Sequence, residues 1–313
     1  MTVFERFKRA ANFHRTGPVL STRNPAQAAG EARYLRGRRG NVNLSDRQKS
    51  ASYKPFSCPC PQPPLASRVM RMITALLIGL AVTVEAAAQD RIEVDLELVL
   101  AVDISYSVDE DEARRQREGY VAALAHPDVI SAIEGGPLGR IAVTYVEWAD
   151  SHFQRAAADW TMIASEEDAL NFAAVVAAAP LERGHYTAIG AAIADAVRRI
   201  GTNEYQGYRR LIDISGDGPQ NQGMDLAQAR AMADEARIIV NGLPVVTDQP
   251  GRWVRPVEVN LDVYFRENVV TGPGAFVLPA RTDDEFRTAI LRKMTLEIAG
   301  AAPTPSELVG AAP

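Results

Sequence analysis

The chain has 313 residues, a mass of 34.0 kDa, 47% hydrophobic residues and 23% charged residues. These ordinary values argue against wholesale disorder, a collagen-like chain or a protein with many membrane spans. Charge is divided unevenly, since residues 1–68 hold 13 Lys and Arg against 3 Asp and Glu, whereas residues 69–313 hold 21 against 36. The acidic part should repel nucleic acid and anionic membrane surfaces, so no nucleic-acid partner is expected.

Residues 1–69 lack the pattern of a folded domain. They combine basic clusters with a Pro-rich run at 59–64 (PCPQPP), and no apolar periodicity persists. Such a composition cannot bury enough apolar surface to offset the entropy of ordering the chain. Two interpretations stay open at this point: a disordered N-terminal extension, or an over-extended reading frame whose translation starts at Met70 or Met72.

Residues 70–88 have the layout of a secretory signal peptide. Basic Arg71 precedes an apolar run at 73–84, and small residues follow at 86–88 (AAA). A run of twelve residues is too short to span a bilayer. We therefore expect a periplasmic or extracellular protein without a transmembrane span in the mature chain. Both cysteines, Cys58 and Cys60, precede this segment, so the mature protein should contain neither disulfides nor thiolate metal sites.

Residues 92–298 alternate between strand and helix patterns, which predicts one α/β domain with a mostly parallel sheet. The first strand is followed by no Gly-x-Gly-x-x-Gly, and the sequence contains no Gly-x-x-x-x-Gly-Lys, so nucleotide binding has no motif to support it. The predicted strands are 96–102, 141–147, 151–160 as an edge strand, 209–215, 238–240 and 275–278. The predicted helices are 109–124, 166–178, 187–200, 225–237 and 282–298, with loops at 126–127 and 241–260 and a disordered tail at 299–313.

Three oxygen-bearing residues, Asp103, Ser105 and Ser107, follow the first predicted strand at spacings of two. In an extended chain they project to one side, at the carboxyl edge of the sheet where α/β proteins bind ligands. An all-oxygen set suits a hard divalent cation such as Mg²⁺, Mn²⁺ or Ca²⁺. A purely structural alternative is that Ser107 and Glu110 form a helix capping box, while Asp103 accepts hydrogen bonds from backbone amides.

Two later segments place further oxygen ligands at junctions of the same kind. Thr187 opens a predicted helix after 184–186 (GHY), and Asp217 follows the predicted strand 209–215. Because the carboxyl ends of parallel strands share one edge of a sheet, all five residues should meet there.

This ordered set, Asp-x-Ser-x-Ser, then Thr, then Asp-Gly, resembles the metal-ion-dependent adhesion site of von Willebrand factor type A domains. The resemblance covers about 92–298, and the stretches 264–270 (YFRENVV) and 272–277 (GPGAFV) also resemble an uncharacterised bacterial family of secreted proteins with a single such domain. It implies a three-layer, Rossmann-like, doubly wound sheet with one antiparallel edge strand.

The resemblance also implies a role for each residue of the set. Ser105, Ser107 and sometimes Thr187 would bind the metal directly, whereas Asp103 and Asp217 would act mainly through bound water. Many relatives carry Gly-Gly-Thr and Thr-Asp-Gly where this chain has 185–187 (HYT) and 216–218 (GDG). The rim of the site is therefore particular to this chain, and its candidate partner contacts are Tyr106, His185 and Tyr186.

Neutral hydroxyl ligands leave a bound cation electrophilic, which favours a carboxylate supplied by a partner. The leading hypothesis is a secreted, non-enzymatic binding module that captures a protein partner through Mg²⁺, with Mn²⁺ or Ca²⁺ as alternatives. A metal-assisted hydrolase is a second hypothesis, although only His185 remains as a general base and Ser215 lacks the Gly-x-Ser-x-Gly elbow. A third is a structural domain of the same fold without bound metal.

Overall fold

A computed structural model describes residues 91–106, 110–246 and 260–304 of the chain, with only the backbone at 283 and 284. Within these ranges the chain forms one sheet and two layers of helices. Its strands are β1 (Ile92–Asp103), β2 (Ile141–Trp148), β3 (Gln154–Ile163), β4 (Tyr205–Gly216) and β5 (Ile239–Pro244). Its helices are α1 (Glu110–Leu124), α2 (Pro127–Glu134), α3 (Glu166–Ala178), α4 (Ile189–Thr202), α5 (Leu226–Glu235), α6 (Leu261–Asn268) and α7 (Asp283–Ala299).

The strands lie in the order β3-β2-β1-β4-β5, with β1 at the centre. β1 pairs in parallel with both β2 and β4, β4 pairs in parallel with β5, and β2 pairs antiparallel with β3. The register places Asp103 opposite Trp148 and Val102 opposite Ser215, so the carboxyl ends of the three inner strands meet. The predicted α/β fold, with a mostly parallel sheet and one antiparallel edge strand, is confirmed.

Helices cover both faces of the sheet, which explains why β1 is apolar along almost its whole length. Leu96, Leu98 and Leu100 face a core built with α1, α2, α3 and α7. Val99 and Ala101 face the opposite core, built with α4, α5 and α6. The central strand is thus buried from both sides, and its candidate site residues lie at its carboxyl end.

The predicted loop at His126 and Pro127 is wrong, because these residues begin helix α2. Pro127 occupies the first turn, where a missing backbone N–H costs nothing, and the His126 Nδ1 accepts a hydrogen bond from the Asp128 N–H at 3.2 Å. Ile130 and Ile133 then bury one face of the helix. The proline therefore initiates a helix here instead of interrupting one.

The region after β4 also differs from the sequence prediction. β5 runs to Pro244, into the predicted loop, and α6 begins at Leu261; residues 247–259 of that loop lie outside the described ranges. The predicted strand 275–278 makes only isolated bridges, such as Gly242 with Val277. The segment lies along β5, but Pro244 has no backbone N–H to donate, so the hydrogen bonds form separate bridges instead of a continuous ladder.

Candidate metal centre

Asp103 and Ser105 lie at the carboxyl end of β1, and each is 1% exposed. The Ser105 backbone N–H donates to Asp103 Oδ1 at 2.8 Å, which turns the carboxylate toward the end of the strand. Ile104 donates its N–H to the Trp148 carbonyl at 2.9 Å, and Gly184 donates to the Ile104 carbonyl at 3.2 Å. The chain therefore stays extended beyond the strand, between the β2 end and the segment that precedes α4.

Thr187 is buried beside Ser105, and its Oγ1 donates to Ser105 Oγ at 3.5 Å. The sequence placed Thr187 at the start of a helix, whereas α4 begins at Ile189 after Ala188 as N-cap. The Ala188 N–H donates to the Ala149 carbonyl at 2.8 Å, so the chain just after Thr187 is anchored to the residue that follows β2. The threonine hydroxyl thus reaches the site from a short non-helical segment.

Asp217 follows the end of β4, is half-buried, and lies close enough to influence Asp103. Burial raises the pKa of Asp103 well above its ordinary value, and the negative charge of Asp217 raises it further. Hydrogen bonds from Ser105 and from the Asp217 backbone offset part of this increase. Two carboxylates that face each other in a buried place repel when both are ionised. A cation between them would relieve this repulsion.

Asp103 Oδ2 is buried and accepts no hydrogen bond from the residues that the structure describes. Gly216 keeps the space beside it open, because a Cβ at that position would lie 3.2 Å from this oxygen. A buried carboxylate oxygen without a partner costs free energy, so the donor set fits a hard cation or its bound water.

Of the five sequence-predicted residues, the structure brings Asp103, Ser105, Thr187 and Asp217 to one edge of the sheet, whereas Ser107 lies outside the described residues. In the described ranges no three His, Cys, Asp or Glu side chains are placed to hold a metal ion. The candidate centre instead combines two carboxylates with hydroxyls. Such a set of oxygen ligands suits a hard divalent cation.

The three predicted rim residues surround this centre. Tyr106 and Tyr186 are 51% and 50% exposed, and the His185 ring meets the Tyr106 ring edge-on with centroids 4.3 Å apart. Sequence reasoning missed Arg183, whose guanidinium lies 4.9 Å from the Tyr106 ring centroid and donates to the Tyr106 carbonyl at 3.1 Å. These contacts hold Tyr106 in place, although about half of each tyrosine side chain remains exposed to solvent.

A buried ion network that the sequence analysis also missed supports the segment leading to Thr187. Glu147, at the end of β2, accepts hydrogen bonds from Arg117 Nε at 3.1 Å and from Arg155 Nη2 at 2.7 Å. Arg155 also donates to the Pro180 carbonyl at 2.6 Å, just after α3. The only sequence signal was an acidic residue inside an apolar strand. The network anchors the start of the segment whose other end carries Thr187.

The mostly parallel sheet, its one antiparallel edge strand and the helices on both of its faces define a three-layer, Rossmann-like α/β domain. The chain belongs to the family described as "Protein of unknown function (DUF1194)", which matches residues 93–302. A search of curated proteins finds no match to the sequence. Among the described residues, no helix has the length and apolar character needed to cross a membrane.

Several solved structures are similar to the chain. Proximal thread matrix protein 1 from the mussel byssus is 13% identical over 67% of this chain and 49% of its own, with a TM-score of 0.49; another structure of that protein has a zinc occupied MIDAS motif. The pilus adhesin SpaC from Lactobacillus rhamnosus GG is 11% identical over 67% of this chain and 30% of its own, with a TM-score of 0.49. A von Willebrand factor type A structure from Catenulispora acidiphila is 14% identical over 66% and 42%, with a TM-score of 0.42. The chain spans less than half the length of each of these proteins.

Proposed function

We propose that this protein is a binding module that captures a protein partner through a divalent cation at the carboxyl edge of its sheet. Ser105, Ser107 and Thr187 would hold the cation, and Asp103 and Asp217 would support it mainly through bound water. Mg²⁺ is the expected ion, with Mn²⁺ and Ca²⁺ as alternatives. The observation that carries the proposal is the buried, unpartnered Oδ2 of Asp103 beside the paired hydroxyls of Thr187 and Ser105.

Electrostatics favours the same conclusion. The pKa of Asp103 is raised by burial and then by Asp217, so ionising this carboxyl in the metal-free protein is costly. A divalent cation compensates both negative charges, and its binding should release protons. The bound cation would supply an open coordination position that accepts an acidic side chain of the partner.

The aromatic rim supplies the remaining contact surface in this proposal. Tyr106 and Tyr186 present large, partly exposed rings, and His185 packs against the first of them. Tyrosine contributes strongly at protein interfaces because it buries much apolar area while keeping a polar hydroxyl group. The partner would therefore place an acidic residue at the cation and pack its neighbouring residues against these rings.

The compartment and chain organisation belong to the same proposal. Residues 70–88 would direct export to the periplasm or the extracellular space, and 92–298 would form the binding domain. Residues 1–69 would be a disordered extension or untranslated. The tail predicted at 299–313 begins later than expected, because α7 extends to Ala299 and the N–H groups of Gly300 and Ala301 donate to its last turn. N-terminal sequencing of the protein from its native source tests this assignment, since any peptide from residues 1–68 would show that the leader is translated.

Thermal unfolding tests the cation site directly. The protein would be unfolded in EDTA and in Mg²⁺, Mn²⁺ or Ca²⁺, beside Asp103→Ala and the exposed control Asp159→Ala. A cation at about 100 times its Kd stabilises by about 2.7 kcal/mol, which corresponds to a rise in Tm of roughly 5–10 °C for a domain of this size. The rise should vanish in Asp103→Ala and persist in Asp159→Ala. No rise with any of the three cations would contradict the proposal.

A further inference from the structure

Three consecutive amide residues, Gln220, Asn221 and Gln222, follow Asp217 and contact the segments around Thr187. Asn221 forms hydrogen bonds with both the backbone N–H and the backbone carbonyl of Thr187. The Thr187 N–H donates to Asn221 Oδ1 at 2.9 Å, and the Asn221 N–H donates to the Thr187 carbonyl at 3.0 Å. This reciprocal pair satisfies both backbone polar groups of Thr187, which lies just before the N-cap of α4.

Gln220 supplies the cap that α4 lacks. The N-cap residue, Ala188, has no side-chain acceptor, and the free Gly190 N–H donates to Gln220 Oε1 at 2.7 Å instead. The Gln220 side chain is held in turn by its Nε2, which donates to the Met224 carbonyl at 2.8 Å. Its backbone N–H donates to the Tyr264 hydroxyl at 3.1 Å. The start of α4 is therefore fixed by a residue from the β4–α5 connection.

The side chain of Gln222 hydrogen-bonds to Ser151, in the connection between β2 and β3. Its Oε1 accepts hydrogen bonds from the Ser151 N–H at 2.9 Å and from Ser151 Oγ at 3.1 Å. Ser151 lies two residues after Ala149, whose carbonyl accepts the N–H of Ala188. Residues 220–222 thus contact the turn after β2, the start of α4 and the backbone of Thr187.

We propose that Gln220, Asn221 and Gln222 form an amide clamp that positions Thr187 for the cation, so that the loops carrying Asp217 and Thr187 act as one unit. The inference rests on the proposed function, because its consequence is a preformed cation site. Asn221 is the central positioning residue and acts through Thr187. Removal of residues that orient metal ligands typically lowers metal affinity by 10- to 100-fold.

Two variants of Asn221 test the positioning role. Asn221→Ala removes the side-chain acceptor of the Thr187 N–H, whereas Asn221→Asp keeps an acceptor at the same place. Gln228→Ala, at an exposed amide on α5, serves as the control. Isothermal titration of the full chain with Mn²⁺ should show at least about a tenfold higher Kd in Asn221→Ala, but no weakening in Asn221→Asp or the control. The Tm in EDTA should change by less than about 2 °C in all three variants, because one solvent-facing amide carries little stability.

Amide hydrogen exchange in EDTA, read by NMR, gives a second measurement that needs no metal. The Thr187 N–H should exchange at least about tenfold faster in Asn221→Ala and at the wild-type rate in Asn221→Asp. An unchanged Mn²⁺ affinity in Asn221→Ala would overturn the clamp while leaving the proposed function intact. A wild-type protein that binds none of Mg²⁺, Mn²⁺ and Ca²⁺ would refute the proposed function, and unchanged Thr187 exchange in Asn221→Ala would refute the clamp independently.

Discussion

The hydroxyl oxygen of Thr187 lies 3.5 Å from that of Ser105, although 82 positions separate the two residues in the chain. The contact exists because the segment before α4 is anchored to the ends of β1 and β2 at Gly184 and Ala188. Two neutral hydroxyl oxygens therefore lie near Asp103 and Asp217, at the site proposed for the cation. The predictions below test this site and the core that supports it.

Replacing Thr187 by Val should weaken cation binding without unfolding the domain. The substitution keeps the side-chain shape and removes only the hydroxyl, so we expect at least about a tenfold loss of Mn²⁺ affinity by isothermal titration. Thr187→Ser keeps the hydroxyl and should bind close to the wild-type level. Equal affinity in Thr187→Val and Thr187→Ser would show that this hydroxyl takes no part in binding.

The buried Lys293 of α7 should be essential to stability. Its Nζ lies 2.6 Å from Asp213 Oδ1 and also contacts Glu297, and neither Lys293 nor Asp213 is more than 2% exposed. Lys293→Met would leave two buried carboxyls without their cation, which should lower the free energy of unfolding by about 3–5 kcal/mol. Guanidinium titration would measure this, with the exposed neighbour Arg292→Met as control. A loss below about 1 kcal/mol would mean that the cluster rearranges or takes up a proton.

Glu297 should make stability depend on pH near neutrality. Burial, followed by the charge of Asp213, raises its pKa from 4.5 to about 7, while Lys293 and Asn241 partly oppose the shift. The folded protein therefore binds a proton that the unfolded chain releases. The resulting stabilisation is complete below about pH 4.5 and is lost as the pH rises through about 7.

Glu297→Gln removes this titration, so its unfolding free energy should vary less between pH 5 and 8 than that of wild type. The difference between the two profiles should reach at most about 3 kcal/mol, since one pKa unit corresponds to about 1.4 kcal/mol. Glu235→Gln, an exposed change at the end of α5, should leave the profile unaltered. Parallel profiles for wild type and Glu297→Gln would contradict the assignment.

Two glycines of α4 should respond oppositely to alanine. A Cβ on Gly190 would lie 2.3 Å from the Met224 carbonyl oxygen, whereas one on Gly201 would meet nothing within 4 Å. Gly190→Ala should therefore lower the free energy of unfolding by about 1–3 kcal/mol, and Gly201→Ala should raise it by up to about 1 kcal/mol. Denaturant unfolding of both variants checks this. Destabilisation of both would mean that the close approach of Met224 does not decide the outcome.

The sequence predicted the alternation of strands and helices because a strand covered on both faces must be apolar along its length, as β1 is. It missed α2 because a proline can either stop a helix or begin one. The choice depends on whether the following residues find an apolar face to bury, and Ile130 and Ile133 find one against the sheet. The segment predicted as a strand at 275–278 does hydrogen-bond to β5, but it forms no continuous ladder because Pro244 lacks the N–H that the next step would need.

For the site, the sequence alone determined which oxygen-bearing residues follow which elements, because spacing and strand ends are local properties of the chain. Only the tertiary structure decided that Thr187 and Ser105 touch, that Asp103 keeps an unpartnered oxygen, and that Asn221 holds the Thr187 backbone. These relationships join segments that lie far apart in sequence. They depend on how the loops after β1, β2 and β4 pack at one edge of the sheet, and no periodicity within a single segment encodes that packing.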